Sequence, residues 1–455
     1  MRRAIEFTLN GERVSLAEED PARPLLSWLR ETRGLTGAKE GCAEGDCGAC
    51  TVALVEPEAV RPIASCIALL GAMDGRTIVT VEHLAAHGRR HPAQEALLDC
   101  HGSQCGFCTP GVVMALYAHY ESGGAAERAA LCDALAGNLC RCTGYAPILA
   151  AGLAMGTKPA PARTPSRSQS TLSIERGGRR FFAPTTLAEL SRWLLAHPQA
   201  RLLAGGTDLA LEVTKELRDL ECIAYLGKVG ELKEIRETDE ALELGAAVTY
   251  AEAFEALARL HPDVRELVRR LGGAQVRAMG TIAGNIANAS PIGDTMPMLL
   301  ALGCTLVLRR GESERRVPLE DFYTGYRKTV LAPGEFIRSV RIEKPRPGAR
   351  FAAYKLSKRF DQDISTVCAA FHVTAEGRAR FGFGGMAATP ARAARAEAAW
   401  PRGVEPACAA LAEDFAPISD HRGSASYRLA AAQALLRKFA GGIGPRALLE
   451  LGPVA

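Results

Sequence analysis

Residues 41–50 read GCAEGDCGAC and place three cysteines and three glycines within ten positions. The cysteines are Cys42, Cys47 and Cys50, in a C-x4-C-x2-C spacing, and fifteen residues separate Cys50 from Cys66. Glycine adopts positive φ at little cost and lets backbone N-H groups approach a neighbouring group closely. A loop of this composition is therefore suited to fold its backbone around a compact group that the thiols hold.

The spacing of these cysteines is that of plant-type ferredoxins, in which thiolates hold a [2Fe-2S] cluster. Backbone N-H groups close to the sulfurs would stabilise the negative charge of such a cluster. A structural zinc site is the alternative, but zinc motifs usually supply two separated cysteine pairs. We therefore predict that Cys42, Cys47, Cys50 and Cys66 hold a [2Fe-2S] cluster.

A second set of four cysteines lies between residues 105 and 142. Cys105 and Cys108 form a C-x2-C pair in GSQCGFCTPG, and Cys140 and Cys142 form a C-x-C pair in NLCRCTGY. Both pairs lie at the joints between predicted helices, whose ends can bring four thiolates together. A four-thiolate zinc site remains an alternative here. A second [2Fe-2S] cluster is favoured, because two clusters form an electron path and a single zinc ion does not explain the ferredoxin-like loop.

Length, charge and cysteine content exclude several classes of protein. A chain of 455 residues exceeds what one hydrophobic core serves and predicts three or four domains. The net charge of +4 is too small to indicate a nucleic-acid-binding protein, and the apolar run at 296–308 is too short to span a membrane. The opening residues alternate around Asn10 and Gly11 as a β-hairpin and not as a signal peptide. Fourteen cysteines without an export signal favour redox or metal chemistry in the cytoplasm.

The hydrophobic pattern predicts a multidomain α+β protein with five segments. Two of them would carry the cysteine sets, and a segment rich in Pro, Ser and Arg would follow as a linker. The segments are a β-grasp ferredoxin-like domain (1–83), a four-helix domain (84–156), the linker (157–177), an α+β domain (178–345) and a C-terminal α+β domain (346–455).

Two loops in the predicted α+β domain are rich in small residues. They read AGGTDLALEV from residue 204 and GTIAGNIANASPIGD from residue 280. Such loops can offer N-H groups and hydroxyls to phosphate oxygens, although a single glycine-rich loop after a strand is more often merely a turn. Two of them beside two redox centres predict a bound dinucleotide. The G-x-G-x-x-A pattern at Gly382, Gly384 and Ala387 is instead expected to be a tight strand-to-helix turn, because no acidic residue follows at the Rossmann distance.

Taken together, six motifs resemble the iron-sulfur and FAD subunit of bacterial two-subunit xanthine dehydrogenases, a branch of the molybdenum hydroxylases. The resemblance covers nearly the whole chain. Three of the motifs are shared with other molybdenum hydroxylases, whereas YKLSKRFDQDIS and the fused order of the domains resemble xanthine dehydrogenases in particular. The motifs are EGCAEGDCGACTV, HGSQCGFCTPG, GNLCRCTGYAPI, AGGTDLALEVTK, GTIAGNIANASPIGD and YKLSKRFDQDIS.

The resemblance implies a FAD-binding domain of the vanillyl-alcohol-oxidase and CO-dehydrogenase-flavoprotein type, followed by a CO-dehydrogenase-flavoprotein-like C-terminal domain. Leu271 stands where relatives often carry an aromatic ring near the flavin, so the chain departs from the family at this one contact. The FAD contacts that the resemblance implies are Leu202, Leu203, Ala204, Gly205, Gly206, Thr207, Asp208, Leu209, Leu271, Thr281, Ile282, Ala283, Gly284, Asn285, Asp294, Ile337 and Lys355.

The resemblance also implies a function. Relatives oxidise hypoxanthine and xanthine to urate at a molybdopterin-bound molybdenum, and electrons then pass through the helical-domain cluster, the ferredoxin-domain cluster and FAD to NAD+. Substrate oxidation is expected on a separate large subunit, in an α2β2 heterotetramer, with no catalytic residue for that step on this chain. Neither nucleic acid nor a membrane is an expected partner.

Two alternative functions stay open at the level of sequence. One is the equivalent part of another molybdenum hydroxylase, acting on an aldehyde, carbon monoxide or an N-heterocycle. The other is a zinc-stabilised binding or scaffold protein without catalysis.

Overall fold

The computed structural model describes residues 1–85, 88–160 and 170–445 of the chain. These residues form two compact units. The first unit comprises Met1–Gly230 and Gly272–Gly280, and the second comprises Glu231–Leu271 and Thr281–Ala455. The predicted domain boundaries stay predictions. The predicted linker does not separate the two compact units, because it falls within the range of the first unit.

The first unit begins with a five-stranded mixed sheet in the order β2-β1-β5-β3-β4. The predicted hairpin is confirmed, because β1 and β2 pair antiparallel around Asn10 and Gly11, which both have positive φ. The short helix α1 continues as a π-helical turn and buries Trp28 against the sheet core. The last strand of this sheet ends at Val79. The elements are β1 (Ile5–Leu9), β2 (Glu12–Leu16), α1 (Leu25–Ser27), β3 (Thr51–Val55), β4 (Val60–Ala64) and β5 (Thr77–Val79).

Four helices follow, as the sequence predicts, around a core that includes Leu97, Leu116, Leu131 and Ile148. The first of them begins with a capping box at His91, and the second and fourth each carry a proline in their first turn. The four are α2 (Pro92–Asp99), α3 (Thr109–Glu121), α4 (Arg128–Leu135) and α5 (Ala146–Ala154).

The first unit continues beyond the predicted linker. Residues 161–169 of that linker lie outside the described residues, and within its predicted last part Leu172–Arg176 forms a strand in which Leu172 and Ile174 are buried. A sheet in the order β6-β7-β9-β8 shares one hydrophobic core with the first sheet, in which Phe181 packs against Gly71. The elements are β6 (Leu172–Arg176), β7 (Arg179–Ala183), α6 (Leu187–Ala196), β8 (Arg201–Leu203), α7 (Leu209–Thr214), β9 (Cys222–Tyr225) and, later in the chain, α10 (Ala274–Arg277).

The second unit begins with a sheet in the order β10-β11-β16-β12-β13, whose neighbours all pair antiparallel. Its first helix starts at a capping box of Thr249 and Glu252. The elements are β10 (Ile235–Glu237), β11 (Ala241–Gly245), α8 (Tyr250–Leu260), α9 (Pro262–Arg269), α11 (Ile282–Ala287), α12 (Thr295–Leu302), β12 (Cys304–Arg310), β13 (Ser313–Pro318), β14 (Tyr323–Gly325), β15 (Lys328–Thr329) and β16 (Phe336–Glu343).

The last part of the second unit is an antiparallel sheet in the order β17-β18-β19-β20, covered by helices. Gly382 lets β19 approach α12, since a Cβ there would lie 2.2 Å from the carbonyl oxygen of Pro297. The predicted turn after β19 leads first into β20 and then into a helix. The elements are β17 (Arg350–Leu356), β18 (Val367–Val373), β19 (Ala379–Gly384), β20 (Ala391–Arg392), α13 (Ala394–Ala399), α14 (Val404–Asp414) and α15 (Ala425–Ala440).

None of the helices in the described part of the chain has the length and apolar character that a bilayer crossing requires.

Candidate cofactor-binding sites

The four cysteines of the first set lie together beside one strand pair. Cys50 precedes β3 and Cys66 follows β4, and these strands pair residue 51 with residue 64, so the two thiols meet with their sulfurs 3.3 Å apart. Both cysteines are nearly inaccessible, at 1% and 2% exposure. Cys42 contacts Cys47 and Cys66 through its thiol. The structure therefore gathers all four predicted ligands at one place, where Cys50 and Cys66 are buried and Cys42 and Cys47 are half-buried.

Backbone N-H groups of the loop converge on one sulfur of this set. Glu44, Asp46 and Cys47 direct their N-H groups at the sulfur of Cys42, at 3.5, 3.3 and 3.3 Å. Contacts with the Cys47 and Cys66 thiols, together with these N-H groups, hold the pKa of Cys42 well below its usual range. The loop is thus built to stabilise a thiolate.

Glycine is required at three positions of this loop. A Cβ on Gly41 would lie 2.9 Å from the sulfur of Cys47, and one on Gly45 would lie 2.5 Å from Ile67. Gly48 has φ of +70°, and its Cβ would lie 2.0 Å from a backbone oxygen at residue 137. The chain therefore wraps the thiols more tightly than other residues would permit.

The second set of cysteines is also brought together, at the ends of helices. The sulfur of Cys142 lies 3.7 Å from that of Cys105 and 3.9 Å from that of Cys140, and Cys108 contacts Cys140. Cys108 is the N-cap of the 13-residue helix α3. The positive end of the helix dipole favours a thiolate at this position, whereas burial raises the pKa of the Cys108 thiol to about 12.

Two further side chains support the second set. The hydroxyl of Thr143 lies 3.0 Å from the sulfur of Cys140, and the N-H of Cys140 donates to the hydroxyl oxygen of Tyr145 at 2.9 Å. Burial opposes ionisation of the Cys140 thiol, but hydrogen bonding from Thr143 prevails and lowers its pKa to about 7. Sequence reasoning did not single out Thr143 and Tyr145, although both lie in the quoted motif NLCRCTGY.

The surroundings of the second set differ from those of the first. Cys105 and Cys142 are exposed. The apolar side chains of Phe107, at 47% exposure, and Leu139, at 41%, are exposed in the same segments. These exposed apolar side chains, each within two residues of a cysteine of the second set, are candidates for an interaction surface.

Each set brings four thiols together from two segments of the chain, which is the number of thiolates that one [2Fe-2S] cluster uses. A [2Fe-2S] cluster needs four thiolates spread over two irons. Thiols that approach one another in pairs, as Cys50 does with Cys66 and Cys105 with Cys142, suit that arrangement.

The first predicted flavin loop, residues 202–209, connects β8 to α7 in the first unit. A Cβ on Gly205 would lie 1.9 Å from the carbonyl oxygen of Met279, and one on Gly206 would lie 3.4 Å from that of Ile67. Thr214, at the end of α7, donates to the carbonyl oxygen of Ala43 at 2.7 Å. The flavin loop therefore lies beside residues that directly follow Cys42 and Cys66.

The other predicted flavin contacts lie in the second unit. Thr281 caps α11 by accepting from the N-H of Gly284 at 3.0 Å, and Asn285 accepts from the hydroxyl of Thr295 at 2.9 Å. Adjacent to Thr295, Asp294 pairs with Lys355 at 2.7 Å. A continuous chain of contacts thus joins the second loop to both charged residues.

Two predicted flavin contacts, Leu271 and Ile337, are apolar. Ile337 is buried in β16, and Leu271 is partly buried just after α9. Ser365 was missed by sequence reasoning; its hydroxyl donates to Asp294 beside Lys355. It lies in the quoted motif YKLSKRFDQDIS, which is the signal that could have identified it.

Four families of known domains match successive parts of the chain. Residues 7–70 match a 2Fe-2S iron-sulfur cluster binding domain, and residues 80–153 match a [2Fe-2S] binding domain. Residues 174–345 match the FAD binding domain in molybdopterin dehydrogenase, and residues 352–443 match the CO dehydrogenase flavoprotein C-terminal domain.

Comparison with individual proteins also finds molybdenum-enzyme relatives of this chain. A xanthine dehydrogenase of Emericella nidulans is 33% identical over 96% of this chain, which spans only 38% of that relative. A solved CO dehydrogenase from Oligotropha carboxidovorans is 31% identical, with a TM-score of 0.53, over 56% of this chain and 94% of its own. A quinoline 2-oxidoreductase from Pseudomonas putida 86 is 27% identical, with a TM-score of 0.52, over 57% of this chain and 96% of its own.

Two [2Fe-2S]-binding domains followed by a FAD-binding domain define an electron-transfer flavoprotein of the oxidoreductase class. The chain belongs to the molybdenum hydroxylase family and corresponds to the iron-sulfur and FAD-binding part of such an enzyme.

Proposed function

We propose that the chain is the electron-transfer subunit of a xanthine dehydrogenase. In this proposal a molybdopterin-bearing large subunit oxidises hypoxanthine and xanthine to urate, and this chain delivers the electrons to NAD+. When bound, the [2Fe-2S] clusters carry one electron at a time, and FAD combines two electrons for transfer as a hydride.

One observation carries the choice of substrate class. The Emericella nidulans xanthine dehydrogenase aligns with 96% of this chain, across both cysteine sets and both later domains, whereas the CO dehydrogenase chain aligns with 56%. The fused order of the domains therefore favours a xanthine dehydrogenase.

We assign the ligands of the first cluster to Cys42, Cys47, Cys50 and Cys66. The second cluster is assigned to Cys105, Cys108, Cys140 and Cys142. These assignments rest on the approach of the sulfurs to one another and on the N-H groups directed at Cys42. For FAD, we assign residues 202–209 in the first unit and residues 281–285, with Asp294 and Lys355, in the second.

Exposure and contacts in the first unit support an order of transfer. A cluster held at the second set would be placed to receive electrons, because Cys105 and Cys142 are exposed. The N-H of Leu139, next to Cys140, donates to the carbonyl oxygen of Cys47 at 3.0 Å, so the backbone itself connects the second set to the first. The first set then lies beside the flavin loop through Ile67, which follows Cys66.

The exposure of Cys105 and Cys142 also indicates where a partner subunit would bind. The surface around Cys105 and Cys142, with Phe107 and Leu139, is the face that we propose for the molybdopterin-bearing subunit. Covering it would bury apolar side chains and shorten the electron path. We further propose an α2β2 heterotetramer in the cytoplasm, where thiolates are protected from disulfide formation.

Assembly with the molybdopterin subunit tests the proposal. The complex is expected to reduce one NAD+ for each urate formed from xanthine and two for each urate formed from hypoxanthine, because hypoxanthine is oxidised in two successive two-electron steps. It should contain about four irons and one FAD for each copy of this chain. A variant with Phe107→Glu and Leu139→Glu should keep its irons but fail to assemble. Leu195→Glu, at a distant side chain that is 48% exposed, is the matched control and should assemble normally.

A second candidate is the equivalent part of a CO or N-heterocycle dehydrogenase. The similarity to the CO dehydrogenase and quinoline 2-oxidoreductase structures, at 31% and 27% identity, favours it. A complex that oxidises carbon monoxide or quinoline but is inert toward hypoxanthine would establish this candidate and refute the first.

A further inference from the structure

A buried group of polar side chains in the first unit lies between the two cysteine sets. It consists of Gln275, Asn138 and Thr51 with the carbonyl oxygen of Gly48, and we refer to it as the amide node. Gln275 is 1% exposed and extends from α10. Its Nε2 donates to Oδ1 of Asn138 at 2.8 Å and to Oγ1 of Thr51 at 3.1 Å.

The other hydrogen bonds of the amide node determine which end of the Gln275 side-chain amide faces Thr51 and Asn138. The hydroxyl of Thr51 donates to the carbonyl oxygen of Gly48 at 2.6 Å, so this hydroxyl can only accept from Gln275. Nδ2 of Asn138 donates to the same carbonyl oxygen at 3.1 Å, which leaves Oδ1 to accept. Gln275 must therefore present its NH2 group to both partners.

Each partner of Gln275 belongs to a different cysteine set. Thr51 directly follows Cys50, and Asn138 lies two residues before Cys140. The single side chain of Gln275 thus binds the loop of the first set and the loop of the second.

The backbone segments around the amide node approach one another closely. A Cβ on Gly137 would lie 1.6 Å from Oε1 of Gln275, and one on Gly111 would lie 2.1 Å from the carbonyl oxygen of Gly48. Oε1 of Gln275 is buried and has no hydrogen-bond partner among the described residues. An unpaired buried oxygen costs free energy, which the two bonds from the other end of the same amide offset.

The segment that carries Gln275 also reaches the flavin loop. Met279, two residues after α10, places its carbonyl oxygen against Gly205. A displacement of α10 would therefore also displace the loops of both cysteine sets and residues 202–209.

We propose that Gln275 is a positioning residue that holds the loops of the two cysteine sets in register and thereby sets the rate of electron exchange between them. The proposal rests on the presence of a [2Fe-2S] cluster at each set. Electron tunnelling falls steeply with distance and with loss of bonded contact, so a small relative movement of the loops changes the rate strongly.

The test uses the full chain with both clusters and FAD bound. Gln275→Met keeps the length of the side chain and removes both hydrogen bonds. We expect unchanged iron and FAD contents, an altered magnetic splitting between the two reduced clusters in electron paramagnetic resonance, and an at least tenfold slower electron exchange after a reducing pulse.

Gln433→Met is the matched control. The Nε2 of Gln433 also donates to a backbone oxygen, that of Cys408 at 3.0 Å, but it does so in the second unit. Its variant should lose thermal stability while keeping the wild-type splitting and rate. If Gln275→Met behaves in the same way as Gln433→Met, the role of Gln275 is only structural and the proposal is overturned.

If Gln275→Met does not fold, a second pair of variants tests whether Gln275 positions the two loops. Thr51→Val removes the hydroxyl that receives from Gln275, whereas Thr51→Ser retains it. Slow exchange in Thr51→Val with the wild-type rate in Thr51→Ser supports the proposal, and equal rates in both contradict it. A wild-type chain with one cluster signal would instead refute the proposed function, and the role of Gln275 with it.

Discussion

The two cysteine sets, each of which we propose to hold a [2Fe-2S] cluster, are built in different ways. In the first, three cysteines of one loop are joined by Cys66; Cys50 and Cys66 are buried beside a strand pair, and the other two are half-buried. In the second, two cysteine pairs meet at helix ends, and each pair has one buried cysteine and one exposed cysteine, Cys105 and Cys142. An interior centre suits a relay that exchanges electrons only with neighbours in the same chain, whereas an exposed centre suits exchange with a partner.

Removing one ligand from each set should have the largest effect. Cys66→Ala should lower the iron content from about four to about two per chain and abolish the signal of the first cluster only. Cys105→Ala should abolish the signal of the second cluster only. Iron analysis with electron paramagnetic resonance measures both.

The controls for these variants are single cysteines of matched exposure. Cys408→Ala is buried and Cys132→Ala is exposed, and both should keep about four irons. A ligand variant that loses both clusters at once would show that the two sets do not fold independently of each other's cluster.

The exposure of the second set should also appear as chemical lability. A chelator or ferricyanide should bleach the second cluster at least about tenfold faster than the first, because Cys105 and Cys142 are accessible and Cys50 and Cys66 are not. Bleaching followed at the two spectroscopic signals checks this order. Equal rates, or faster loss of the first cluster, would contradict the assignment of interior and surface centres.

Alanine substitutions at two glycines, one in a loop of each cysteine set, test how closely these loops are packed. Gly48 and Gly144 have nearly the same φ, +70° and +69°. Gly144→Ala should cost about 1 to 2 kcal/mol, the strain of a left-handed residue, since nothing among the described residues lies within 4 Å of its Cβ position. Gly48→Ala should cost about 3 kcal/mol or more, because its Cβ would meet the carbonyl oxygen of Gly137.

Urea denaturation of the two variants measures this difference. Equal costs at Gly48 and Gly144 would mean that the first loop can relax away from residue 137, and that the two sets are less tightly joined than the contacts indicate.

The smallest expected effect is at Thr143. Thr143→Val removes the hydroxyl 3.0 Å from the sulfur of Cys140 and should lower the midpoint potential of the second cluster, since a donor to sulfur stabilises the reduced, more negative state. The shift should be on the order of 59 mV or less, which for one electron is tenfold in the equilibrium constant.

Redox titration with detection of both clusters measures the potential. Thr143→Ser keeps the hydroxyl and should restore the wild-type value, and the potential of the first cluster should stay unchanged in both variants. A shift of both clusters by the same amount would argue against a local hydrogen bond as the cause.

The sequence was sufficient for the parts of the sites that depend on local spacing. Cys42, Cys47 and Cys50 are close in the chain, and the pair Cys105 and Cys108 likewise, so their spacing alone indicates thiolate chemistry. The hairpin around Asn10 and Gly11 was predictable for the same reason, because a two-residue turn has a local signature.

Long-range packing was not predictable from the sequence. The contacts of the amide node join residues that are separated by 87 positions in one case and by 137 positions in another. No periodic pattern in the sequence indicates which buried polar residues will meet. The strand Leu172–Arg176 falls within the predicted linker, because the stretch before it is rich in Pro and Ser and the strand itself is short, with only Leu172 and Ile174 buried. The core shared by Phe181 and the first sheet then places the residues after the linker in the first unit.

The most direct test of the account is the order in which the centres are reduced. In the assembled complex, mixed rapidly with the substrate that it oxidises and frozen at successive times, Cys66→Ala should show the second cluster reduced while FAD stays oxidised. Cys105→Ala should leave both the first cluster and FAD oxidised. Reduction of FAD at the wild-type rate in Cys66→Ala would contradict the assignment of the buried set as the relay between the surface centre and the flavin.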